Sequence, residues 1–116
     1  MKYAGVTLVA AALMAASSHA EMAGKYTVLG EGNTSCGSWL EQRKDSRAWK
    51  NEAAWMLGYL TAINRYVWRG GSNIMKDTDP EGIEKWMDLH CAANPLDNIK
   101  VSTDLLFNEL AARQKR

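Results

Sequence analysis

The chain has 116 residues, 47% of them hydrophobic and 23% charged, and its formal net charge is +1. This length allows one small domain at most. The near-neutral charge excludes the strongly basic surface that nucleic-acid binding requires, and no acidic tail is present.

Residues 1–20 have the pattern of a secretory signal peptide. Lys2 gives a positive start, residues 4–16 form an uncharged and mostly apolar run, and small residues precede a cleavage position after Ala20. The apolar run is shorter than the roughly 20 residues that span a bilayer. We therefore expect a periplasmic or secreted protein without a stable membrane anchor; the alternative is a buried N-terminal helix.

Cleavage leaves residues 21–116, which retain both cysteines, Cys36 and Cys91. Paired cysteines form disulfides in an oxidising compartment, and two cysteines allow only one intramolecular pairing. The alternative is two buried free thiols. A disulfide closing a loop of this length stabilises the fold by roughly 4 kcal/mol through lost chain entropy in the unfolded state. That is comparable to the whole stability of a small domain.

The first predicted elements are an irregular arm and a short helix. Residues 21–35 are rich in Gly, Thr, Ser and Asn, which is typical of irregular structure. Ser38 and Glu41 then fit a capping box, in which a serine side chain and a glutamate three residues later satisfy the first amide groups of a helix. We expect this helix to run from Ser38 to about Lys44.

The longest helix signal covers about residues 48–69, where apolar residues recur at helical spacing. The main strip contains Trp49, Ala53, Met56, Leu57, Leu60, Ile63 and Val67, and a second strip contains Trp55, Ala62 and Tyr66. Two strips predict a central helix that is covered on more than one side. Gly58 costs roughly 1 kcal/mol relative to Ala in a helix interior, so we expect close approach of another backbone there. Gly70-Gly71 is expected to end the helix.

Two more helices are predicted in the C-terminal part of the chain. The third begins at Asp79-Pro80, an N-cap followed by proline at the first helical position. The fourth follows Asn94-Pro95, which ends the third and offers a cap. Their apolar faces contain Ile83, Trp86, Met87 and Cys91 in the third and Ile99, Ser102, Leu105, Leu106 and Leu110 in the fourth. The predicted fold is an all-α bundle of about four helices over residues 36–116, with an irregular N-terminal arm and one disulfide.

No catalytic, cofactor-binding or metal site is predicted. His90 stands beside Cys91, but adjacent residues of a helix point about 100° apart and do not face each other. Residues 77–88 match a calcium-loop pattern of alternating acidic residues, a glycine and a final acid, Asp88. Pro80 stands where such a loop must wrap, and the segment already has the pattern of a helix start. A capped helix is the favoured interpretation, and weak calcium binding is the alternative.

Several short blocks resemble the HdeA-like family of acid-stress chaperones. Residues 58–64, Gly-Tyr-Leu-Thr-Ala-Ile-Asn, are similar to a Gly-aromatic-x-x-Ala-x-Asn stretch of that family. Trp39-Leu40 follows Cys36 as an aromatic-Leu pair does there, and residues 79–83 look like its Asp-x-x-Gly-Ile. The plan of a signal, two cysteines and helices is also shared by small immunity proteins of type VI secretion. The resemblance implies a disulfide-stapled periplasmic domain that binds proteins, does no chemistry and forms homodimers.

The sequence leaves two functions open. The first is a non-enzymatic protein-binding module of the immunity or inhibitor kind, which stays folded and presents Tyr59, Tyr66 or Trp68 to a toxin or effector. The alternative is an acid-stress chaperone. Near pH 2 its 13 carboxylates are neutral, and the remaining positive charge favours opening and exposes the aromatic strips to an unfolded client. Neither function calls for nucleic acid or a cofactor.

Overall fold

The computed structural model describes residues 26–45 and 47–115, so the predicted signal peptide lies outside the described residues. One turn of 3-10 helix, Gly30–Asn33, precedes four α-helices. These are α1 Cys36–Gln42, α2 Lys50–Tyr66, α3 Pro80–Ala93 and α4 Ile99–Arg113. The described part of the chain has no strand, only an isolated antiparallel bridge between Ser35 and Asn98. The predicted all-α class is confirmed, and none of these helices has the length and apolar character to cross a membrane.

Side-chain caps fix where three of the helices begin. Asp79 caps α3 with Pro80 as the first helical residue, which confirms that prediction. The capping box predicted at Ser38 is wrong, because α1 begins nearly one turn earlier and the Ser38 N–H donates to Ser35 Oγ at 3.1 Å. Asn98 rather than Asn94 caps α4.

Helix α2 is shorter than its sequence signal. It ends at Tyr66, well before Gly70-Gly71, and the chain then turns so that the Trp68 ring packs edge-on against Phe107 of α4, with centroids 6.2 Å apart. The Trp68 indole N–H donates to the Ser72 carbonyl at 2.6 Å, which closes this turn. Tertiary packing of one tryptophan therefore ends the helix.

The core contains side chains from all four helices and from the segment between α2 and α3. Its buried apolar members are Cys36, Trp39, Ala53, Met56, Leu60, Ile63, Ile74, Ile83, Met87, Cys91, Ile99, Leu106 and Leu110. Ile74 is held there by Asn64, whose Oδ1 accepts from the Ile74 N–H at 3.0 Å. Periodicity does not predict Ile74 as a core residue, because it and Met75 lie outside the periodic helical segments, between Asn73 and Lys76.

Some residues predicted to face the interior lie at the surface. They are Ala62, Tyr66 and Val67 of the α2 region and Leu105 of α4. The second strip of α2 is covered only at Trp55, whose indole N–H donates to the Leu29 carbonyl at 2.7 Å beside the 3-10 turn. No described helix packs over the rest of that strip, so the prediction that α2 is covered on several sides is wrong along its C-terminal half.

The close approach predicted at Gly58 is found at Gly32 instead. A Cβ atom on Gly58 would meet nothing within 4 Å, whereas one on Gly32 would lie 2.4 Å from Cζ2 of Trp55. Gly32 is buried in the 3-10 turn that covers this tryptophan. The missing side chain at residue 32 is what lets the turn lie directly on the α2 surface.

Candidate protein-binding surface

The disulfide fixes the beginning of α1 to the end of α3. Cys36 is the first residue of α1 and Cys91 lies in the last turn of α3, and the two sulfurs are bonded and completely buried. The Ser102 hydroxyl of α4 lies 3.4 Å from the Cys36 sulfur. The predicted pairing is confirmed, and it places three helices around one covalent link.

A polar cluster fixes the rest of α1 against α3. Asp88 accepts from the Trp39 indole N–H and from Arg43 Nε, both at 2.9 Å, and from Arg43 Nη2 at 3.0 Å. The hydrogen bond from Arg43 to Asp88 raises the pKa of Arg43. Burial raises the pKa of Glu84, whose carboxylate lies 3.8 Å from the same guanidinium. The Arg43 guanidinium also lies 4.3 Å from the centroid of the Trp49 ring.

The same contacts bear on the calcium-loop pattern of residues 77–88. Asp79 Oδ1 accepts from the Gly82 N–H at 2.7 Å as a helix cap, and Asp88 is hydrogen-bonded to α1 from the middle of α3. The segment is therefore a capped helix, the favoured interpretation of its sequence. Across residues 26–45 and 47–115, no group of three or more His, Cys, Asp or Glu side chains is placed to hold a metal ion.

The three aromatic residues predicted as a partner surface have different environments. Tyr59 is half-buried and donates to Asp104 Oδ1 of α4 at 2.9 Å. Burial, reinforced by that hydrogen bond, raises the pKa of Tyr59 to about 12. Trp68 is half-buried against Phe107. Tyr66 is 66% exposed, so it alone of the three presents most of its side chain to solvent.

A different set of apolar side chains is exposed on α3, on α4 and on the connection between them. They are Leu89 at 66%, Leu96 at 96%, Val101 at 40% and Leu105 at 43% exposure. Leu89 belongs to α3, Leu96 to the short connection, and Val101 and Leu105 lie one turn apart on α4. We call this set the hairpin face, because α3, the connection and α4 form a helical hairpin.

Polar contacts hold the two helices together beneath the hairpin face. The Trp86 indole N–H of α3 donates to Glu109 Oε2 of α4 at 2.7 Å. The His90 ring stacks on Trp86 with centroids 4.9 Å apart, and its Nε2 lies 3.0 Å from Asp97 Oδ2. Since Leu105 lies one helical turn before Glu109, it borders the side of α4 that Trp86 contacts. The hairpin face therefore rests on a fixed pair of helices.

The sequence gives only a faint signal for the hairpin face. Helical periodicity assigns Leu105 to the interior together with its neighbour Leu106, and it leaves Leu89 beside the apolar strip. Leu96 is the one available signal, because a leucine inside an Asn-Pro-Leu-Asp turn has no role in helix formation. The contact between Arg43 and Asp88 is not predicted, since the sequence gives no reason to pair two charges on separate helices.

Comparison with family models, curated proteins and solved structures finds no match to this chain. Of what the resemblance to HdeA-like and immunity proteins implies, the structure confirms the all-α fold and the disulfide. The family itself stays a prediction from short motifs.

Proposed function

We propose that this protein is an exported, non-enzymatic protein-binding module of the immunity or inhibitor kind, and that the hairpin face is its binding surface. The observation that supports this is the exposure of four large apolar side chains on one helical hairpin, three on its helices and Leu96 in the connection. Single exposed apolar residues are normal. Larger exposed apolar patches mark interaction sites, and we infer that these four side chains together form one.

Fixed helices make such a surface effective for binding. Association loses less free energy when the contacting side chains do not have to be ordered first. Here Trp86 and Glu109 join the middle of the hairpin, and His90 and Asp97 join the end beside the connection. The disulfide adds a covalent link from α3 to α1. The partner would be another exported protein that places an apolar segment along α3 and α4.

Site-specific photo-crosslinking in the cells that produce the protein tests this proposal. A benzophenone amino acid replaces Leu96, which is 96% exposed and supports no packing. The matched control replaces Lys44, an exposed residue just beyond the C-terminal end of α1. We expect one discrete crosslinked protein from position 96 and none from position 44. Equal products from both positions, or no product from either, would contradict the proposal.

One observation favours the acid-stress chaperone as a second candidate. In three of the hydrogen bonds that join helices, the acceptor is a carboxylate oxygen. The carboxylates are those of Asp88, Asp104 and Glu109. Carboxylates as a class are protonated near pH 2, so acid would remove the negative charge from each contact while the basic residues repel one another. Near-ultraviolet circular dichroism and a client-aggregation assay at pH 2 test this candidate. An intact tertiary signal without client protection would eliminate it and leave the first.

A further inference from the structure

A cavity lies at the other end of the groove between α3 and α4. Its volume is about 190 Å³, and its walls include Trp86 of α3 and Leu106, Leu110 and Arg113 of α4. Asp77 and Asp79, just before α3, complete the opening. Sites for drug-sized molecules usually have about 300–1,000 Å³. This cavity is therefore of a size for one side chain rather than for a whole small-molecule ligand.

The charges around the cavity favour a cationic occupant. Arg113 is the only cationic residue among those that line it, and its guanidinium is paired with Glu109. Asp79 caps α3 by accepting from the Gly82 N–H at 2.7 Å. Asp77 has no hydrogen bond or ion pair with any residue in the described part of the chain. Among the residues that line this cavity, the charge left without a partner is therefore negative, while Lys76 lines the adjoining pocket that shares Asp77 and Arg113.

The apolar walls suit the rest of a basic side chain. Lysine and arginine have an aliphatic stem and a charged head, and the stem is commonly buried while the head stays near water or a carboxylate. Leu106 and Leu110 would contact the stem, and the Trp86 side chain, which also lines the cavity, adds aromatic surface. A carboxylate ligand would meet Asp77 and Asp79 and be repelled.

We propose that this cavity receives a lysine or arginine side chain of the protein that docks on the hairpin face, an inference that rests on the proposed function. Trp86 connects the two regions, because its indole N–H is bonded to Glu109 between them. The partner segment would then present apolar residues to Leu89 and Leu105 and a basic residue toward Asp77.

A probe titration tests the cavity without the partner. The protein, isotope-labelled, is titrated with butylamine, and the indole N–H resonance of Trp86 is followed by NMR. The indole of Trp55, bonded to the Leu29 carbonyl far along the chain from the cavity residues, serves as the internal reference. Butanol and butyrate have the same carbon chain with neutral and negative heads. We expect a saturable shift of the Trp86 resonance with butylamine alone.

Two variants test whether the shift of the Trp86 resonance depends on the Asp77 carboxylate. Asp77→Asn should weaken butylamine binding about two- to fivefold, the effect of losing one exposed charge pair. Asp45→Asn, at an exposed aspartate beyond α1, should leave it unchanged. The inference is overturned if butanol or butyrate shifts Trp86 as strongly as butylamine, or if Asp77→Asn binds butylamine as well as the unaltered protein. Crosslinking from position 96 does not depend on Asp77. If the crosslink forms although the butylamine test fails, the proposed function stands and only the cavity inference is overturned.

Discussion

The two sides of helix α3 differ in how fully their side chains are bonded to, or covered by, other parts of the molecule. On the side facing α1, Cys91 is bonded to Cys36 and Asp88 is bonded to Arg43. On the side facing α4, the polar groups are also paired, but Leu89 is left largely in solvent at the rim. The two sides of α3 are therefore expected to serve different roles. Substitutions on the α1 side should reduce stability, whereas substitutions on the hairpin face should reduce binding.

The largest effect is expected from removing the covalent link. Replacing both Cys36 and Cys91 by alanine should lower the free energy of unfolding by roughly 4 kcal/mol, because the unfolded chain regains the entropy of an open loop. Urea denaturation followed by tryptophan fluorescence measures this loss. The reduced, unaltered protein serves as a control and should show a similar midpoint. A loss below about 1 kcal/mol would mean that the α1 side does not depend on its disulfide.

The polar cluster on the same side should give the next largest effect. Asp88→Ala leaves the Trp39 indole and the Arg43 guanidinium without their shared acceptor, and we expect a loss of about 2–3 kcal/mol. Glu41→Ala is the matched control, since Glu41 pairs with Lys44 on an exposed surface and should cost less than about 1 kcal/mol. Equal losses from the two variants in urea denaturation would show that Asp88 contributes no more than a surface ion pair.

Two glycines give effects of opposite sign. Gly32→Ala would place a methyl group against the Trp55 ring, and overpacking of this kind costs about 1–3 kcal/mol. Gly58→Ala meets open space in the exposed middle of α2 and should stabilise the protein by about 0.5–1 kcal/mol. Thermal unfolding of both variants checks the pair. Destabilisation by Gly58→Ala would show that residue 58 has a close neighbour after all.

Alkaline pH should weaken the contact between α2 and α4. The pKa of Tyr59 is raised to about 12, and hydrogen bonds to Asp104 and Tyr26 raise the pKa of Lys100 although burial alone would lower it. For both groups the folded state holds its proton more tightly than the unfolded chain, so stability is full below about pH 10 and falls as pH rises above it. Tyr59→Phe should make this fall shallower in urea denaturation between pH 9 and about pH 11.5. If Tyr59→Phe loses stability with pH as steeply as the unaltered protein, the Tyr59 hydroxyl is not the group responsible.

Local signals in the sequence predict part of this molecule well. Asp79-Pro80 marks the start of α3, because a capping side chain and a proline act within one turn. The disulfide follows from there being only two cysteines. The end of α2 depends on the packing of Trp68 against Phe107, which no local pattern contains.

The exposure of the hairpin face could not be predicted from the sequence, for a geometric reason. Neighbouring helical positions differ by about 100°, so Leu105 and Leu106 match an apolar stripe almost equally well. Only the packing of the neighbouring elements on α4 decides which of them is buried, and Leu106 is 3% exposed while Leu105 is 43% exposed. The Arg43–Asp88 contact is likewise tertiary, since each residue alone has the character of a solvated helix surface.

The most direct test measures binding and stability in one variant, Leu89→Gln with Leu105→Gln. Substitutions at exposed positions usually change stability by no more than about 0.5 kcal/mol, so urea denaturation should give nearly the same midpoint as for the unaltered protein. The crosslink from position 96 should disappear, because the apolar contact area is lost. A crosslink of unchanged yield, or a variant that unfolds at much lower urea, would contradict the division of stability and binding between the two sides of α3.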